Sequence, residues 1–265
     1  QSDTIEIQTF CDRRRPPLNL ASANRPHPSH LTLRPRQVHT ITDRFSMANT
    51  YLIDDERPVV VDPGSKLNVQ LLCQYLEHFL HRSPADIDLI VLTHLHFDHT
   101  AGVEALRRVC NAPVAASSLA KRLARSRPQT SRLPSLSYLA GQVLPGTLHH
   151  LDIFPPAYEQ QVKLIDLWLD DVVGLPEHPD WRVISSPGHT PESLCLYNPF
   201  TEELLCGDTV ITVVGGAPLL RGSSDRVHLD QTLQTLRSLK VHYLYPGHGR
   251  PILSLHPLSN AGVEW

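Results

Sequence analysis

Short apolar runs alternate with amphipathic stretches along this chain from Val38 onward. Met47-Ala48-Asn49-Thr50-Tyr51-Leu52-Ile53-Asp54 and Pro58-Val59-Val60-Val61-Asp62 read as two strands around the polar turn Asp55-Glu56-Arg57. The second run closes on Asp62-Pro63-Gly64, a turn signal that leaves a carboxylate at a strand terminus. Between Val69 and Leu80, the residues Leu72, Leu76, Phe79 and Leu80 fall at helical spacing and predict an amphipathic helix. Ile87 to Leu92 is a short aliphatic run behind Pro84 and predicts a buried strand. A helix near Gly102 to Val109 and a strand at Pro113 to Ala116 complete a strand–helix–strand rhythm, the pattern of a layered α/β domain. Strand texture returns at Trp181–Ser185, Ser193–Tyr197 and Glu203–Cys206, then a helix at Leu229–Leu239 and a closing strand at His242–Tyr245.

Two regions break the rhythm. Residues 1–37 carry Pro16, Pro17, Pro26, Pro28 and Pro35, which exclude a long helix and predict an irregular N-terminal arm. Residues 119–180 read as an insertion over the site entrance, inside one domain spanning 38–265.

Charge and composition narrow the functional classes. Net charge is −3, with no basic footprint for nucleic acid. No apolar run approaches membrane-spanning length, so no membrane partner is expected. The five cysteines are odd in number and form no C-x-x-C pair, which predicts reduced thiols and a cytoplasmic setting; the start at Gln1 is compatible with N-terminal processing. A small-molecule substrate is the expected partner, and a homodimer is compatible with the sequence.

The chemistry is concentrated in Thr93-His94-Leu95-His96-Phe97-Asp98-His99-Thr100, where four metal-capable side chains follow a strand directly. Regular helical or extended geometry does not aim all four at one point, so a tight loop is expected there. Three later segments share this layout: Ser186-Pro187-Gly188-His189, Cys206-Gly207-Asp208 and Tyr245-Pro246-Gly247-His248-Gly249. Each places an imidazole or carboxylate beyond a strand, with glycine freeing the backbone to turn inward.

With these motifs the chain resembles the metallo-β-lactamase superfamily of hydrolases. The match rests on His94-Leu95-His96-Phe97-Asp98-His99, Pro187-Gly188-His189-Thr190-Pro191, Gly207-Asp208 and Pro246-Gly247-His248-Gly249, with Asn49-Thr50-Tyr51-Leu52 and Val61-Asp62-Pro63-Gly64 as early strands. The resemblance implies a four-layer αββα sandwich of two mixed sheets flanked by helices, with metals at one edge. His94, His96 and His189 would hold a first metal; Asp98, His99 and His248 a second; Asp208 would bridge them. Seven donors exceed one tetrahedral zinc, so two divalent ions are expected, Zn²⁺ first, with Fe or Mn also suited to a carboxylate-containing set. A hydroxide between the metals would attack an acyl carbon, with Asp98 and Asp208 as the catalytic carboxylates. Asp62 is expected to hold a ligand histidine in one tautomer.

The best-known zinc β-lactamases carry a cysteine among their metal ligands. Asp208 stands here instead, and Cys206 is expected to point to the opposite side of the segment. The set looks like that of glyoxalase II-type thioesterases and acyl-homoserine lactonases, which implies hydrolysis of a small ester, thioester or lactone. The alternatives are a metal-dependent nuclease or phosphodiesterase, a mononuclear iron dioxygenase, and a non-catalytic binding module. The acidic balance weighs against the nuclease, and the complete donor set weighs against the binding module.

Overall fold

Val59, Val60 and Val61 are all fully buried, yet they serve different cores. Alternation along a pleated strand sends Val59 and Val61 to one face and Val60 to the other. Leu89 and Val91 divide from Ile90 in the same way. A strand that is apolar on both faces belongs inside a layered structure, and the chain forms one. The computed structural model describes residues 38–43, 48–126, 157–170, 174–212, 218–221, 226–259 and 261–264.

The first sheet has six strands in the order β1 (Val38–Ile41), β2 (Thr50–Ile53), β3 (Val59–Val61), β4 (Leu89–Val91), β5 (Val114–Ser117), β6 (Leu167–Leu169). The first two pairings are antiparallel and the remaining three parallel. The second sheet runs β13 (Ile252–Leu253), β12 (Tyr243–Pro246), β9 (Glu203–Gly207), β8 (Leu194–Asn198), β7 (Arg182–Ser185). Within it β9 and β12 are parallel, while β8 is antiparallel to both β7 and β9. A small third sheet joins β10 (Ile211–Thr212), β11 (Pro218–Arg221) and β14 (Gly262–Glu264).

Helices cover both outer faces. Helix α1 (Lys66–His78) starts where the Ser65 hydroxyl accepts from the amides of Leu67 and Asn68, and it buries Val69, Leu72 and Leu76. After the one-turn helix α2 (Phe97–Thr100), α3 (Val103–Cys110) buries Val103 and Leu106 and ends on Asn111 in the left-handed region. These pack with Ile90, Leu52 and Val60 on one face of the first sheet. Helix α4 (Ser118–Ser126) and α5 (Ala157–Val162) extend that layer, contributing Ala120 and Tyr158. Across the molecule, Leu229, Leu233 and Leu236 of α6 (Arg226–Arg237) pack on Cys195, Leu204 and Cys206 of the second sheet. Between the sheets lie Tyr51, Val59, Val61, Val91, Trp181, Leu194, Leu205 and Tyr245. Each such side chain contributes about 1.5–3 kcal/mol of burial. The four layers are the expected αββα sandwich.

The 119–180 stretch contributes to the first sheet. Ala115, Ala116 and Ser117 pair with Leu167, Trp168 and Leu169, so part of that stretch is an edge strand of the first sheet. Apolar 167–169 satisfies its backbone by lengthening a parallel sheet, which scattered polar surroundings disguise in the sequence. Residues 127–156 and the arm at 1–37 lie outside the described residues.

Candidate metal centre

Strand direction brings the candidate residues to one rim. β3 and β4 are parallel, and β7, β9 and β12 run the same way as one another. Asp62 follows β3, His94 to His99 follow β4, His189 follows β7, Asp208 follows β9 and His248 follows β12. The two sheets are tied at this rim by the Leu194 amide donating to Thr93 O at 2.9 Å and the Asn49 amide donating to Gly247 O at 2.8 Å.

The tract after β4 is not a single tight loop. The chain bends at Thr93 and His94, is extended at His96 (φ −72°, ψ 147°) and then turns helical over Phe97–Thr100. Changing backbone type between His96 and Asp98 is what lets four neighbouring side chains converge, since neither an extended segment nor a helix would do so alone.

All seven proposed donors meet. His94, His96, His189 and Asp208 offer atoms within 4.8 Å of one another, and so do Asp98, His99 and His248. Asp208 lies between the sets: Oδ2 is 3.9 Å from His94 Nε2, 3.5 Å from His189 Nε2 and 3.3 Å from His248 Nε2, while Oδ1 is 3.2 Å from His99 Nε2. Asp98 Oδ2 is 3.2 Å from His248 Nε2 and 3.7 Å from His99 Nε2. His189 Nε2 faces His96 Nδ1 at 3.0 Å.

Asp62 makes a further cluster with His94 and His99, but its oxygens are already engaged. Oδ1 accepts from the Thr93 amide at 2.8 Å; Oδ2 accepts from the Thr93 hydroxyl at 2.6 Å and lies 3.0 Å from His99 Nδ1. A carboxylate there makes His99 Nδ1 the donor to Asp62 and aims Nε2 at the site. The Thr93 hydroxyl has one proton, spent on Asp62, so its 3.1 Å contact with His94 Nδ1 makes that nitrogen the donor as well. His94 Nε2 is left as a buried acceptor with no hydrogen-bond partner. Asp62 thus orients His99 and the Thr93 hydroxyl, and it does so from a left-handed backbone conformation at φ 51°.

Burial holds His94 well below the usual imidazole range and takes His189 down to about 4. These two rings are neutral acceptors at neutral pH. Around Asp98 and Asp208 the balance reverses. Burial alone would lower His248, but Asp208 and Asp98 lift it to about 10; the same carboxylates raise His99 over the opposing effect of burial. Burial likewise disfavours the carboxylates, yet His99 and His248 hold both well below their ordinary range. The rim is a well of negative potential lined by inward-facing nitrogen donors. An orphaned buried Nε2 and this donor chemistry fit divalent cations.

Cys206 points away from the site, into the core under α6. Strand alternation does not explain this, because residues two apart on a strand share a face. Gly207, at φ 47°, breaks the strand between them and turns Asp208 to the rim. Thr93 was the residue missed by inspection of the sequence, although its position directly before the histidine tract marked it for attention.

The sequence profile described as the metallo-beta-lactamase superfamily matches residues 43–248. Among curated proteins, the chain is 27% identical over 208 residues to a probable metallo-hydrolase of Methanocaldococcus jannaschii, covering 76% of this chain and 87% of that one. It is 25% identical over 174 residues to a hydroxyacylglutathione hydrolase of Hydrogenovibrio crunogenus, covering 65% of this chain. That match spans 47% of the relative, so the chain corresponds to about half of its length. Among solved structures, the BLEG-1 B3 metallo-beta-lactamase superposes with a TM-score of 0.57 at 22% identity, covering 82% of this chain and 93% of that one. The archaeal superfamily protein ST1585 from Sulfolobus tokodaii gives 0.55 at 23% identity, covering 82% of each chain. Both share the fold, and with the profile spanning both sheets and every candidate donor, the chain belongs to the metallo-beta-lactamase superfamily of metallo-hydrolases.

Proposed function

We propose that this enzyme is a dinuclear metal-dependent hydrolase that cleaves a small thioester, ester or lactone. The observation that carries the reading is the position of Asp208, whose two oxygens face the two donor sets at 3.2–3.9 Å. His94, His96 and His189 would hold one cation, Asp98, His99 and His248 the other, and Asp208 would reach both. Bound cations of this kind supply an activated water at neutral pH and polarise an acyl oxygen. Zinc suits the imidazole-rich set, and iron or manganese the set that includes Asp98.

The chain's own residues prepare that chemistry. Asp62 and Thr93 engage Nδ1 of His99 and of His94, so both rings aim Nε2 inward. Asp98, with 15% of its side chain exposed, is held ionised by His99 and His248 and would serve the second cation as a carboxylate ligand on the solvent side. Similarity to several hydroxyacylglutathione hydrolases supports an acyl rather than a phosphoryl substrate.

The test is a turnover panel on the purified chain, using thioester, lactone, β-lactam, phosphodiester and persulfide substrates, alongside metal analysis. Two equivalents of metal with thioester or lactone hydrolysis supports the reading. A single iron with persulfide consumption, or phosphodiester cleavage alone, overturns it.

A further inference from the structure

Five consecutive carbonyls around His248 are each claimed by a residue from elsewhere in the chain. Pro246 O accepts from the Tyr51 hydroxyl at 2.5 Å and lies 2.9 Å from Asn49 Nδ2. Gly247 O accepts from the Asn49 amide at 2.8 Å, His248 O from the Thr212 amide at 2.9 Å, Gly249 O from Asn49 Nδ2 at 2.8 Å and Arg250 O from the Thr212 hydroxyl at 2.9 Å. Ala48 also forms an isolated antiparallel bridge with His248. Asn49 directly precedes β2 of the first sheet and Thr212 belongs to the small third sheet, so the turn is gripped from two sides.

The orientation of Asn49 is determined. Its Oδ1 accepts from the Thr42 hydroxyl at 2.5 Å, which turns Nδ2 toward the 246–249 turn. Asn49 is 2% exposed and Thr212 7%, so neither group exchanges these bonds freely with water. Gly249, at φ 85°, comes so close to Thr212 that a Cβ there would overlap its backbone carbonyl and hydroxyl.

We propose that Asn49 and Thr212 are positioning residues for His248: they clamp residues 246–250 so that its imidazole meets Asp98 and Asp208. The inference rests on the dinuclear reading above and concerns the second donor set alone. His94, His96 and His189 hang on β4 and β7 and receive none of these bonds, so the clamp bears most directly on the second donor set.

The experiment uses the full chain, stripped with a chelator and titrated with Co²⁺ while its visible absorption is followed. Wild type, Asn49→Ala, Asn49→Ser, Thr212→Val and His248→Ala are compared, with thermal unfolding for each. The expected result is a first equivalent bound as in wild type and a second weakened about 10–100-fold in the Asn49 variants. Thr212→Val, which keeps its amide bond, should shift the second equivalent less. His248→Ala should give the same spectrum as a chain carrying only the first equivalent. Unchanged uptake of the second equivalent in Asn49→Ser and Thr212→Val overturns the proposal, as does equal weakening of both equivalents. Should Asn49→Ala not fold, the milder pair decides. A wild type that takes up one equivalent only would sink the dinuclear reading itself, a result distinct from either.

Discussion

Gly247 and Asp208 lie so close that a Cβ on Gly247 would overlap Asp208 Oδ1. The absence of a side chain at 247 is what leaves room for the carboxylate between the two donor sets. Gly247 itself has no positive φ, but a Cβ there would also come within 2.7 Å of the Gly207 backbone. Gly247→Ala should therefore displace Asp208 and press on the Gly207 backbone, lowering thermal stability, metal content and turnover together, read by metal analysis and by thermal unfolding of the same preparation. A variant with full metal content would show that Asp208 has room to move.

Gly207→Ala should behave differently. Gly207 sits at φ 47° and a Cβ there would overlap Thr93. Conformational strain and a steric clash act together, so a loss of about 1–3 kcal/mol is expected in urea unfolding. A midpoint equal to wild type would refute this.

Asp208→Ala removes the group facing both sets and should reduce bound metal and hydrolysis in parallel. Two retained metals with full activity would end the assignment of Asp208 as the bridging group.

Asp62→Asn is nearly isosteric but places an amide where Thr93 and His99 each need an acceptor. The His99 tautomer would no longer be fixed, and metal affinity should fall about 10–100-fold in a competition titration against a chromophoric chelator. Affinity within twofold of wild type would contradict the role given to Asp62.

A fourth buried histidine lies outside the centre. His178 is 3% exposed, and burial holds it below the usual imidazole range; Asp55 and Asp88 oppose that effect and Arg57 adds to it. Its Nδ1 is 3.7 Å from Asp55 Oδ2, too long for a hydrogen bond. A depressed folded-state pKa means the unfolded chain binds the proton more readily. Its contribution is complete above the unfolded value of about 6.5 and is lost as pH falls below it toward the folded one. His178→Gln should lose less stability than wild type between pH 7.5 and 5.5, by at most about 1.4 kcal/mol per pH unit. Parallel urea midpoints in the two proteins would remove His178 as a source of acid sensitivity.

Much of this was legible before any coordinates. Strands and helices with strict periodicity, such as Val59–Val61 and the Leu72–Leu76 helix, lie where their patterns placed them, because burial of one face dictates both period and position. The candidate donors stood out because imidazoles and carboxylates beyond strand ends have few other reasons to cluster, and their side chains do meet. What escaped was short or non-local. Ile211–Thr212, Pro218–Arg221 and Gly262–Glu264 span only two to four residues each, too few for alternation to register, and the third sheet they form went unseen. The one-turn helix at Phe97 carries no periodicity of its own. The Asn49 contact with Gly249 O bridges 200 positions, and no local pattern announces a partner so distant.

The donors are divided between the two halves of the chain. Asp62 and the 94–99 tract depend on the first sheet, and His189, Asp208 and His248 on the second. Neither half owns a complete set, so the centre comes into being only when the sheets close on each other. Cations bound there would act as a bolt across a seam: they would favour the closed sandwich by mass action, and their removal would loosen the joint between the sheets before it disturbed either sheet.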